Sequence, residues 1–202
     1  MPELSDIAGL TPQDVTSYWV DTVGPSGWYK VDPSLDEDIR QRFQPLWEVS
    51  AAGGLRNWMC SPQRILGFLI LTDQFPRNMF REDGRAFSTD AVARTAAIRS
   101  ILHNWDLRIP EPQRQFFYLP LMHSEVLEDQ ERALRLIMTR MPETGALNLL
   151  HARAHREVIR QFGRFPHRNA DLGRSTSRAE ADFLAAGGYG DVVRSMQQAT
   201  AA

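Results

Sequence analysis

His151 and His155 stand four residues apart, the spacing at which two imidazoles on one helix face can meet a single zinc ion. His167 or His123 would have to supply a third ligand. The pair lacks the intervening glutamate of a zinc-peptidase HExxH helix, and no second motif fixes that third ligand. Separate core histidines, each held by its own hydrogen bonds, are the plainer reading, and no metal is assigned. Nucleophile chemistry has less to stand on. His123, Ser124 and Glu125 are consecutive, but neighbours in a helix diverge by about 100° each and cannot form a relay. Cys60 stands beside Ser61-Pro62 with no identified base. No G-x-S-x-G elbow, P-loop or dinucleotide glycine pattern is present.

Anion recognition uses the remaining polar groups better. Between Ile65 and Phe75 apolar side chains point in nearly every direction, as in a buried central helix. Asp73, in its last turn, must therefore find an arginine or several backbone donors, or stay protonated. In the stretch approaching Met141, Val126, Leu127, Leu134, Ile137 and Met138 form one stripe with Gln130 in its middle, and His123 shares that face if the helix already includes it. Glu125 projects away from the stripe, and with Ser124 as N-cap it would only favour the positive helix end. Farther on, Arg153, Arg156, Arg160 and Arg164 share one face while His151, His155, Val158, Ile159 and Phe162 share the other, so the histidines point inward.

The elements that would carry these groups read as helices throughout. Start and stop signals recur and no long alternating strand pattern appears, so the class is all-α. Thr11-Pro12 with Asp14 opens a helix that Gly24-Pro25 ends. Ser34 with Glu37 reads as a capping box for a second, bent by Pro45 and stopped at Gly53-Gly54. Ser61-Pro62 opens a third that should finish before Pro76, and a fourth is expected over 90–103. A short helix around Phe116 and Phe117 meets Pro120, and a longer one continues to about Met141. Gly163 should cap a helix over 145–162, and Ser177 with Glu180 opens a final one that fails at Gly187-Gly188. Short connections predict antiparallel neighbours in a single domain over 1–202, as in a bundle or an array of helical hairpins. QFPRN at 74–78 echoes RFPHRN at 164–169. Stop chemistry explains both, because proline cannot continue a helix and arginine can cap its last carbonyls, though two such stops could also present two arginines to one cleft.

With 202 residues, 43% hydrophobic and 24% charged, the chain can build its core without disulfides or a structural metal, which excludes disordered and fibrous classes. One cysteine excludes an internal disulfide framework and fits a reducing compartment. The opening residues show no secretory signal, and the longest mostly apolar run, 65–71, is too short to span a bilayer. A cytoplasmic protein with no membrane partner is expected. A formal net charge of -2 argues against nucleic acid as a partner. The balance is uneven, however: residues 1–50 carry nine acids against Lys30, Arg40 and Arg42, whereas 151–178 carry seven arginines against Glu157 and Asp171. Such asymmetry marks either a solvated surface or an anion-binding end.

LTDQFPRNMFR from Leu71, RAFSTD from Arg85, FFYLPLMHSE from Phe116 and FGRFPHRNADLGR from Phe162 are long, unusual stretches. Together they resemble a bacterial family known as domain of unknown function 924, whose members look like tetratricopeptide-type superhelical folds, and the likeness covers nearly the whole chain. The resemblance marks Asp73, Gln74, Arg77, Asn78, Arg85, His123, Ser124, Glu125, Gln130, His155, Arg164, His167, Arg168 and Asn169 as family-pattern positions. His151 departs from the pattern, where an aromatic residue is expected. The resemblance implies a fold and candidate residues but no reaction and no cofactor. The resulting expectation is a polar pocket for a small anionic molecule. Arg77, Arg164 and Arg168 would supply charge and bidentate donors, and Asn78, Glu125, Gln130, His167 and Asn169 would complete the lining. His123 or His155 would act as acid or base with Asp73 orienting one of them, should any reaction occur. The rival expectation is a protein-interaction scaffold in which the same buried polar groups are a folding network.

Overall fold

The computed structural model describes residues 9–201. Its regular elements are helical, with no strand among the described residues, as the start and stop signals required. Contacts divide the chain into two compact units, which meet in sequence between Pro120 and Leu121.

In the first unit, α1 (Pro12–Thr16) is opened by a complete capping box: the Thr11 side chain accepts from the Asp14 amide and Asp14 returns a bond to the Thr11 backbone. It widens into π-helical turns over Ser17–Val23 and ends at Gly24, which takes a left-handed φ of 68°. The next helix, α2 (Pro33–Ala51), is capped one step earlier than Ser34 and Glu37 suggest. Asp32 takes the N-cap, accepting from the Ser34 and Leu35 amides, because Pro33 supplies the preset φ of a first helical residue. Glu37 bonds instead to Arg40 and Gln41 one turn on. Behind the Ser61 cap comes α3 (Pro62–Leu69). It does not finish before Pro76 but passes through a π turn, Ile70–Gln74, into α4 (Phe75–Met79). In a regular helix the Thr72 carbonyl would accept from residue 76, which is proline and has no N–H. Thr89 supplies the missing donor: its Oγ1 bonds Thr72 O at 2.6 Å while accepting from Trp47 Nε1 at 3.2 Å. The last long helix of this unit is α5 (Asp90–Leu102).

Aromatic rings from these helices converge on Phe75, with Tyr18, Trp19 and Phe43 at ring centroid distances of 6.2, 5.4 and 4.9 Å. Such contacts add specific geometry to a large apolar burial. Where α1 crosses α3, a Cβ on Gly67 would lie 2.4 Å from the Pro12 carbonyl oxygen, so only glycine permits that approach.

Four-residue α6 (Leu119–Met122) spans the point where the units divide. In the second unit the helix expected to reach about Met141 does so as α7 (Leu127–Arg140), but it starts after a break at His123–Val126 and so does not include His123. Its buried face carries Asp129, Gln130, Ala133, Leu136 and Ile137. Of the stripe projected from the sequence, Ile137 and the central Gln130 lie on that face, while Val126, Leu127 and Met138 are exposed, because the helix packs through the adjoining side that carries Ala133 and Leu136. A short link leads to α8 (Ala146–Phe162), which ends at Gly163 with φ 69°. The Ser177–Glu180 capping box opens α9 (Arg178–Ala185). That helix is not the last. Gly187 and Gly188 take positive φ values and turn the chain into α10 (Gly188–Ala201), whose Tyr189 and Val192 pack with Phe162 and Phe183 on a core of Val158, Ile159 and Phe165. Gly67→Ala should destabilise the protein by about 1–3 kcal/mol through overpacking at the α1–α3 crossing. Urea unfolding would measure it, and an unchanged midpoint would mean that the crossing relaxes freely.

Candidate functional site

Eight of the residues singled out above, His123, Glu125, Gln130, His155, Arg164, His167, Arg168 and Asn169, lie in the second unit. Asp73, Arg77 and Asn78 lie in the first.

The second-unit group is organised by the break before α7. Two carbonyls there lack backbone donors, and Gln130 supplies them: its Nε2 lies 2.7 Å from Met122 O and 2.6 Å from Ser124 O, with Leu121 O, which accepts from the Ser124 amide, at 3.4 Å. Ser124 accepts from the Val126 amide and donates to Asp129 at 2.6 Å. The buried amide thus fixes the loop that carries His123, although His123 and Gln130 share no helix. Arg168, also buried, donates from Nη1 to His123 O at 3.1 Å, and its guanidinium lies 4.4 Å from the Phe165 ring centre.

Around Arg168 sits a cluster of imidazoles. The His155 ring stacks on Tyr189 at 4.7 Å and meets His123 and Phe165 edge-on at 6.1 and 5.3 Å. His151 lies 6.0 Å from the same tyrosine ring, with Nδ1 2.5 Å from Tyr189 Oη. Burial pushes the His155 imidazole well below the usual histidine range, and His123, the Arg168 cation, His151 and His167 push it in the same direction. At neutral pH it is uncharged, and its solvent-shielded Nδ1 has no hydrogen-bond partner among the described residues. Burial likewise lowers the pKa of His151 and raises that of Tyr189. His167 is exposed, beside Phe165 at 5.6 Å.

The flanking arginines are matched to carboxylates. Glu125 accepts from Arg174 through both oxygens, at 2.7 and 3.1 Å, and from the Phe165 amide at 2.8 Å. These bonds hold it below its ordinary range against the opposing effect of desolvation. It is therefore an arginine partner and not a helix-end charge. Arg164 grips buried Glu180 with two bonds of 2.6 and 2.8 Å and also donates to Ser175 O. Arg156 faces Glu131 at 3.4 Å. Asn169 donates to Thr176 at 3.3 Å, while its buried Oδ1 is unpartnered among the described residues. Arg174 and Tyr189 were missed by the sequence reading. Tyr189 directly follows the Gly187-Gly188 pair that reads as a stop, and nothing local to Arg174 points to a carboxylate 49 positions away.

In the first unit Asp73 is buried and does meet an arginine, with Arg77 Nη1 3.4 Å from its carboxylate and 2.5 Å from its carbonyl. Arg77 Nη2 also donates to Asp90 at 3.0 Å. Asn78 accepts from Gln74 at 3.0 Å and donates to Asp36 at 2.8 Å, and Asp36 is gripped by Arg81. Among the described residues no group of three or more His, Cys, Asp or Glu side chains is arranged to hold a metal, and no helix is long and apolar enough to cross a membrane.

Residues 15–188 match the family described as "Bacterial protein of unknown function (DUF924)". The chain belongs to DUF924. A solved structure described as "Structure of Protein of Unknown Function ATU0120 from Agrobacterium tumefaciens" is similar to this DUF924 chain at 36% identity and a TM-score of 0.80, over 86% of this chain and 96% of that one. No curated protein matches the sequence. The DUF924 match ends at Gly188, so Tyr189, which stacks on His155, lies just beyond it.

Two outcomes test this arrangement. Gln130→Ala leaves buried carbonyls without a donor and should cost about 2–3 kcal/mol in chemical denaturation; a smaller loss would show that the loop repairs itself. Glu125 has a lower pKa folded than unfolded, so its contribution to stability is present above the unfolded value and is lost as pH falls through the folded one. The stability gap between the native chain and Glu125→Gln should therefore narrow steadily as the pH falls through and below the ordinary glutamate range, measured by urea midpoints at successive pH values.

Proposed function

We propose that the second unit binds a small anionic molecule beside His155, with Arg168 supplying the charge and His123 the acid or base for any chemistry done there. One observation carries the reading: a neutral imidazole whose solvent-shielded Nδ1 has no partner among the described residues, set beside a buried guanidinium. A buried nitrogen left unbonded costs about 1–3 kcal/mol, and groups of this kind gather where a ligand is to be met. Other shielded polar atoms of the same unit are also unbonded among the described residues, namely Gln130 Oε1, Asn169 Oδ1 and Arg174 Nε. Arg164 and Glu125 serve this site indirectly, by tying down the segments that carry Arg168 and Phe165. Asp73, Arg77 and Asn78 are bonded within the first unit and are assigned to its packing.

An anion beside His155 relieves the positive field that depresses its protonation. Binding should then take up a proton, so affinity for inorganic phosphate or acetate should rise as pH falls from about 8 to 6. The test is a titration of the full chain with each anion, followed through histidine side-chain NMR signals and melting temperature. Shifts centred on His155 and His123, with stabilisation that saturates, are expected. Absence of both with every anion, or an affinity indifferent to pH, would overturn the reading.

A further inference from the structure

We infer that the first unit holds a separate site for an amphipathic monocarboxylate, in a cavity of about 650 Å³ between the start of α1 and the turn after α2. None of the candidate site residues lines it. Its walls include Leu46, Leu55 and Trp58, which are otherwise almost wholly buried, and its charged lining is Arg56 and Arg64 with no carboxylate. A largely apolar concavity of a few hundred Å³ with a small number of convergent polar groups is the usual form of a small-molecule site.

Two features set this cavity apart from incidental surface relief. The first is electrostatic. Neither the Arg56 nor the Arg64 guanidinium makes a hydrogen bond or ion pair among the described residues, and no carboxylate in the lining neutralises them. The second is conformational. Leu55 takes a left-handed backbone, φ 59° and ψ 22°, which a branched side chain adopts only at a cost of about 1–2 kcal/mol. Strained residues of this kind persist where the surroundings over-determine them and concentrate at ligand sites. Here the turn folds Leu55 into the wall and places Arg56 directly after it at the rim.

A hydrophilic anion such as phosphate would satisfy the two guanidiniums and leave the apolar wall wet, and a neutral apolar molecule would do the reverse. A carboxylate on an aliphatic or aromatic body satisfies both, with the guanidinium fork matching the carboxylate plane.

The experiment is calorimetric titration of the full chain with octanoate, 1-octanol and inorganic phosphate, repeated on Arg56→Gln/Arg64→Gln. Saturable one-site binding of octanoate is expected, at least tenfold tighter than either comparator and at least tenfold weaker in the double variant, whose helical circular dichroism and melting should match the native chain. If the double variant does not fold, the singly substituted Arg56→Lys and Arg64→Lys proteins replace it, each expected to bind octanoate severalfold more weakly. Octanoate binding that is not saturable, that survives loss of both guanidiniums in a folded variant, or that phosphate equals in strength would overturn the inference.

Discussion

A buried carbonyl must have a donor, and at several points where a helix of this protein bends, breaks or stops, a side chain provides it. Thr89 serves Thr72 where Pro76 has no amide, and Arg77 serves Asp73 in the same turn. Arg40 caps Met79 with two bonds. Gln130 serves the break before α7, Arg168 the carbonyl of His123 and Arg174 that of Phe165. The same device recurs in both units. It explains how the helical run continues through Pro76, whose missing amide is answered by a side chain from elsewhere in the unit.

This constraint changes the meaning of an inward-facing polar group. Asp73, Arg77, Asn78, Gln130 and Arg164 are all sheltered by the fold, and burial alone would suggest a site. Each is accounted for by a carbonyl, a carboxylate or an amide in its own unit. The arginine-rich stretch of the second unit follows the same logic. Arg156, Arg164 and Arg174 are matched by Glu131, Glu180 and Glu125, all of which fall outside 151–178, so a segment that is strongly positive in sequence is largely neutralised in space. The surplus charge that could attract an extended polyanion is thereby reduced.

The distinction between local and distant causes also separates what was legible in the sequence from what was not. Thr11, Ser61, Gly163 and Ser177 act within one turn of themselves, and their caps are where the residue types put them. Asp32 displaced Ser34 because proline at the first helical position outweighs a box one step later. The passage through Pro76 depends on Thr89, thirteen positions on, and the break at 123–126 depends on a glutamine beyond it; neither can be read from the residues that bend. That break removed the shared helix on which the projection of His123 with Gln130 rested, yet the two are coupled all the same, through the backbone the glutamine holds. The helix after Gly188 was hidden because two glycines at positive φ end one helix and immediately begin another.

Residues whose partners are supplied by the fold are explained by the fold; those left over need another cause. In the second unit the remainder is chiefly His155, kept neutral by its surroundings and unbonded at Nδ1. A histidine retained only for packing would be better served by an apolar ring, which fills the same edge-to-face and stacked contacts with Phe165 and Tyr189 without burying an unsatisfied nitrogen. In the first unit the solvent-facing pair Arg56 and Arg64 makes no hydrogen bond or ion pair among the described residues. The two cases differ in kind. An enclosed neutral group beside a buried cation favours a compact charge that displaces little, whereas exposed cations at the rim of an apolar hollow favour a molecule with a body as well as a head.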